Sequence, residues 1–137
     1  MIVLSDNDVR GAVSALHHIL KSSDWADLAG ALDIRFAELE DVGLAQDSTD
    51  FVIWSLCQTL DAVLITGNRS AADGIHSLDY IIRIYGNRSS IPVMTIADPN
   101  RVVRDRNYAI GCAFCLLDYL ERIDELRGIG RIYLSPP

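Results

Sequence analysis

Hydrophobic positions in this chain fall into short continuous runs and longer helical repeats, which take turns along its length. Residues 1–5 (MIVLS) form an apolar run stopped by Asp6-Asn7-Asp8, the pattern of a buried strand ending in a turn. Over residues 9–20, Val9, Val13, Leu16, Ile19 and Leu20 recur at helical spacing, with Asp8 or Asn7 placed to cap. A second helical stretch covers 24–32, with Trp25, Leu28, Ala29 and Leu32 on one face, and 35–42 reads as a partly exposed strand. Asp47-Ser48-Thr49-Asp50 opens a third helix carrying Phe51, Trp54, Leu56, Cys57 and Leu60. A continuous apolar strand comes next at 62–66, then a polar loop over 67–73. Residues 74–85 read as a helix stopped by Gly86, and 91–97 as a third apolar strand ended by Asp98-Pro99-Asn100. The longest helix is predicted over 102–126, and 131–134 is a last short strand.

Strands alternating with helices predict an α/β fold, a parallel sheet covered by helices on both faces. At 137 residues, with no repeat, low-complexity tract or linker, the chain reads as one domain spanning 1–137.

Charge narrows the partners. Twelve basic residues against nineteen acidic ones give −7, and the basic side is eleven Arg with one Lys, Lys21. A polyanion binder usually carries net positive charge, so any nucleic-acid contact here has to be local, Arg-based or bridged by cations. Three cysteines do not frame a disulfide scaffold. With no basic segment ahead of the first apolar run, and no apolar run of ~20 residues, a cytoplasmic protein is the expectation.

In parallel sheets, sites form beyond the carboxyl ends of strands. Asp6 and Asp8 follow the first strand, Gly67, Asn68 and Asp73 the second strong one, and Asp98 and Asn100 the third, while Asp47 and Asp50 open a helix. Carboxylates gathered on one rim repel unless a cation or strong hydrogen bonding offsets them, and oxygen-only donors favour Mg²⁺ or Mn²⁺. Each acid also has a local reading: Asp6 or Asp8 as a helix cap, Asp47 with Asp50 as a capping pair, Asp98 as a turn former before Pro99.

The start MIVLSDNDVRGAV and the block DSTDFVIWSLCQTLDAVLITGNRSAAD resemble the PIN-like domain family, in its compact variant found among toxin-type ribonuclease relatives. In that family an Asp ends the first strand and another opens a helix of the form D-x-x-I-x-x-x-A. A strand h-h-h-T-x-[ND] comes after it, with a further Asp beyond. Asp50, Ile53, Cys57, Thr66, Asn68 and Asp73 fall on the pattern, with Arg69 to Ala72 standing between Asn68 and Asp73. The resemblance implies a three-layer fold with strand order 3-2-1-4-5 and metal-dependent RNA cleavage. It implies Asp6, Asp50 and Asp73 as catalytic residues that hold Mg²⁺ or Mn²⁺ with help from Asn68, and an antitoxin protein as partner. Arg10 and Arg69, near Asp6 and Asn68 in sequence, are placed to clamp phosphate oxygens or to sit as solvated surface. A non-catalytic PIN-like interaction or regulatory module is the alternative.

Two further readings compete. Asp6-Asn7-Asp8 with Thr66 also resembles the first two motifs of haloacid-dehalogenase-type phosphatases, but that chemistry needs a cation on the phosphoryl oxygens, and the one Lys is in the first helical region. A receiver domain also wants a Lys after its last strand. Cys112-Ala113-Phe114-Cys115 lies in a helix interior, where two small core residues explain it better than redox chemistry. The face Tyr108, Cys112, Cys115, Leu116 and Tyr119 fits a homodimer contact or a buried core stripe equally well.

Overall fold

Apolar runs without polar alternation form the middle of the sheet. A computed structural model describes residues 1–22, 24–67 and 77–136. In it β1 (Ile2–Ser5) lies between β2 (Arg35–Glu38) and β3 (Val63–Thr66), with β4 (Val93–Thr95) and β5 (Arg131–Tyr133) beyond β3. All pairings are parallel, in the order β2-β1-β3-β4-β5. The expected α/β class holds, but the order is not 3-2-1-4-5: the third strand in sequence sits beside β1, not outside β2. Burial gives the reason. All four residues of β3 are buried, whereas β2 exposes Arg35 and Glu38 at its ends. A strand dry on both faces needs a neighbour on each side, and the edge goes to the strand whose charges can meet water.

Successive strand residues point to opposite faces, which divides the core in two. Val3, Val63 and Ile65 pack beneath α1 (Arg10–Leu20), α5 (Pro99–Arg104) and α6 (Arg106–Glu121). Trp25, Ala29 and Leu32, in and around α2 (Ala26–Ala31), are partly buried against the same cluster. Leu4, Leu64 and Val93 pack beneath α3 (Asp50–Leu60) and α4 (Leu78–Tyr85). The result is three layers.

Local chemistry sets the helix boundaries. The helix expected over 102–126 is three pieces: α5, α6 and a 3-10 turn at Ile123–Leu126. Asp98 is more than a turn former. Its carboxylate accepts from Arg101 N at 3.1 Å and caps α5, with Pro99 in the first turn, where its missing N–H costs nothing. Asp105 then interrupts the run in an extended conformation and restarts it by accepting from Tyr108 N at 3.2 Å. Of the stretch expected at 74–85, residues 74–76 lie outside the described residues, and Ser77 caps α4 through Tyr80 N. Cys112 and Cys115 serve structure: their thiols donate to the carbonyls of Leu134 and Ser135 at 3.2 and 3.4 Å, fixing the segment after β5 onto α6.

Candidate functional site

From β1 the chain moves outward to β2 and then returns to the other side of β1 for β3. The point where the direction of winding changes therefore lies between the carboxyl ends of β1 and β3, the place where open parallel sheets bind ligands. Asp6 and Asp8 follow β1 there, and Thr66 and Gly67 end β3.

The ladder continues one rung past the strands, with Asp6 N donating to Ile65 O at 2.9 Å. Asp6 thereby points to the same face as Leu4 and meets the fully buried Thr66, whose hydroxyl donates to Asp6 Oδ2 at 3.2 Å. Asp6 Oδ1 accepts from Asn7 N at 2.8 Å. Asp8 turns back over β3, where its Oδ1 accepts from Gly67 N at 3.4 Å. Gly67 leaves room for this approach: an added Cβ would lie 2.9 Å from Asp8 Oδ2 and 3.3 Å from Val9 Cγ1. Desolvation, and then the neighbouring charge of Asp6, push the Asp8 carboxyl above its ordinary value. Cys57, on α3 behind Asp6, has its thiol pushed up to about 12, first by burial and then by the Asp6 charge. It is a buried core residue whose thiol favours the protonated form.

Side chains around the rim knit its segments together. Asn7 Nδ2 donates to Gln46 O at 2.6 Å, tying the turn after β1 to the loop before α3. Arg10 Nη2 donates to Asn7 Oδ1 at 2.8 Å and to Glu40 Oε1 at 2.6 Å, while its Nη1 pairs with Glu38 Oε2 at 2.8 Å. Gln46 Nε2 adds a bond to Glu40 Oε1 at 2.8 Å. Hydrogen bonds from Arg10 and then Gln46 hold the Glu40 carboxyl down to about 2. Arg10 is bonded by two carboxylates and an amide oxygen while 29% of its side chain stays exposed. Spacing gave no sign of this mesh: Glu38 and Glu40 lie where β2 passes into a 3-10 turn, Leu39–Val42, that exists only in the folded chain.

Asp50 is the first residue of α3. Neither it nor Asp47 caps the helix, since Thr49 Oγ1 accepts from Val52 N at 3.3 Å. A helix that returns the chain to the start of the next parallel strand runs against the strands, so the amino end of α3 belongs to the same rim as Asp6. Asn68, Arg69 and Asp73 lie outside the described residues. Among the described residues no group of three or more His, Cys, Asp or Glu side chains is placed to hold a metal ion.

No family model, no curated protein and no solved structure matches this chain.

The donor chemistry of the rim can still be tested against a cation. Asp6 and Asp8 offer carboxylate oxygens and Thr66 a hydroxyl, with no imidazole or thiolate among them. Hard oxygen donors with uncompensated negative charge fit Mg²⁺ or Mn²⁺ better than Zn²⁺.

Proposed function

We propose that the protein is a metal-dependent endoribonuclease. In this reading Asp6 and Asp8, with Asp50 on the same rim, hold Mg²⁺ or Mn²⁺ at the β1/β3 crossover; the PIN-like resemblance adds Asn68 and Asp73, which lie outside the described residues. The observation that carries this reading is the pair of carboxylates beside the ends of β1 and β3, Asp6 bonded by Thr66 and Asp8 by Gly67 N, with Asp8 raised by burial and then by the Asp6 charge. A divalent cation there would activate water and stabilise charge on the leaving oxygen of a phosphodiester. The chain supplies the rest. Thr66 and Asn7 fix both oxygens of Asp6, and the Arg10 mesh keeps the Asp6–Asp8 turn against the loop before α3. RNA is the substrate proposed, reached through local Arg contacts and the bound cation, because net charge −7 opposes general attraction to a polyanion. An antitoxin protein, a second copy of the chain and a cytoplasmic setting belong to the same proposal. No helix among the described residues is long and apolar enough to cross a membrane.

A second reading has one observation in its favour. An Asp-x-Asp turn whose first carboxylate is bonded by Thr66, and whose second is raised by burial and then by the Asp6 charge, suits phosphomonoester hydrolysis with Asp6 as nucleophile and Asp8 as general acid. One set of assays separates the two. The nuclease reading expects Mn²⁺ to raise the melting temperature, single-stranded RNA to be cut, and Asp6→Asn to lose both effects. Release of phosphate from a small aryl monoester with RNA left intact would establish the phosphatase reading. A Mn²⁺ effect on melting with neither activity would leave a non-catalytic binding module.

A further inference from the structure

At the other end of the sheet, before the first residues of β4 and β5, lies a groove of about 260 Å³ walled by Trp54, Ile82, Arg83, Asn87, Ser90 and Ile129. Its chemistry is opposite to that of the rim. In a chain with nineteen acidic residues, no carboxylate lines it among the described residues. Of the acids close to it along the chain, Asp79 pairs with Arg131 at 2.7 Å, Asp124 with Arg127 at 2.9 Å and Glu125 with Arg122 at 3.7 Å.

Donors line it instead. Arg83 makes no ion pair among the described residues; its guanidinium lies 5.5 Å from the ring of Tyr80 and no closer partner is found. Asn87 Oδ1 accepts from Ser89 N at 2.8 Å, which fixes the amide so that Nδ2 is left over as a donor. Ser90 Oγ accepts from Asn87 N at 2.9 Å, so its proton is available to another acceptor. Trp54, 6% exposed, lines the groove, and its indole N–H has no protein acceptor among the described residues. Ile82 and Ile129, the latter 54% exposed, give the groove an apolar lip. Gly130, at φ +87°, keeps the wall beside Ile82 open, since an added Cβ would lie 3.0 Å from Ile82 Cγ2. Four donors, one of them cationic, beside an apolar surface and without a competing carboxylate, form a receptor for an acceptor-rich anion.

We propose that this groove binds a small molecule that carries an oxyanion, phosphate or carboxylate, on an apolar body. The anion lies on Arg83, Asn87 and Ser90, and the body rests on Ile82 and Ile129. The volume suits a compact ligand. The groove's distance from the acidic rim makes the proposal independent of the nuclease reading.

Titration of the intact protein with phenyl phosphate, benzoate and inorganic phosphate, followed by the indole N–H resonance of Trp54, tests it. Trp25→Phe assigns that signal. The expected result is a saturable shift of the Trp54 signal with at least one of the two aromatic probes, weakened roughly tenfold or more in Arg83→Gln and unchanged in Arg88→Gln. A response confined to phenyl phosphate or to benzoate identifies which oxyanion the ligand carries. The proposal is overturned if no probe moves the signal, or if Arg83→Gln binds as well as the parent. It is also overturned if Arg88→Gln weakens binding as much as Arg83→Gln, which would mark general charge attraction.

Discussion

Two carboxylates a few residues from the same turn are perturbed in opposite directions, and the signs predict opposite behaviour. Glu40 is held to about 2 from an ordinary 4.5 by Arg10 and Gln46. A depressed acid contributes stability that is present above its unfolded value and lost as pH falls through the folded one, here between about 4.5 and about 2. Melting temperature should therefore drop across that window, and Arg10→Gln should flatten the drop. Asp8 is raised above 3.8, so ionising it costs the folded state as pH rises. Asp8→Asn should melt higher than the parent at neutral pH without metal and lose the increment that Mn²⁺ gives. That increment is about 2.7 kcal/mol at a hundredfold excess over Kd. A lower melting temperature for metal-free Asp8→Asn would show that Asp8 is there for structure. Gly67→Ala makes a matching steric test. Its Cβ would press on Asp8 Oδ2, so the Mn²⁺ increment should shrink while stability falls by about 1–3 kcal/mol.

Element by element, the sequence was most readable where one force dominated. Residues 1–5 and 62–66 are apolar up to a terminal Ser5 and Thr66, and strands form there at Ile2–Ser5 and Val63–Thr66. The repeat Val13, Leu16, Ile19, Leu20 marked α1 because those side chains share one buried face. Boundaries were harder, because caps are decided by competition among neighbouring polar residues. Asp47, Ser48, Thr49 and Asp50 all suit a cap, and the winner was Thr49, with Asp50 as the first helical residue. Thr49→Ala should cost about 1 kcal/mol in denaturant unfolding and leave Mn²⁺ binding alone, whereas Asp50→Asn should weaken binding with little change in stability. Equal effects of both on binding would mean that α3, not Asp50, is what the site needs. Asp105 was missed as a helix break because a single polar residue in a long apolar repeat looks like surface until it turns to cap α6.

Across the whole molecule, the fold class was legible and the strand order was not. Alternation of strands and helices dictates parallel layers, but order depends on which strand can tolerate an edge, and that comparison between RFAE and VLIT needs the packed sheet. The site was legible in part. Asp6, Asp8 and Gly67 were readable as residues following strands, since position in a parallel sheet decides where such residues go. The bonds that aim them, Thr66 to Asp6 and the Arg10 mesh, join segments far apart in sequence and leave no local trace. Ile65 sits at 0% exposure between β1 and β4, so Ile65→Ala should cost about 2–5 kcal/mol by chemical denaturation. A loss well under 1 kcal/mol would contradict the central placement of β3.

That placement bears on how the chain is made. Of the five strands, β1 leaves the ribosome first, yet it is flanked by Arg35–Glu38 on one side and by Val63–Thr66 on the other. Translation must therefore pass Thr66 before Ile2–Ser5 has both neighbours. Until then β1 has an open hydrogen-bonding edge in the growing chain, the condition under which unpaired strand edges invite misassembly.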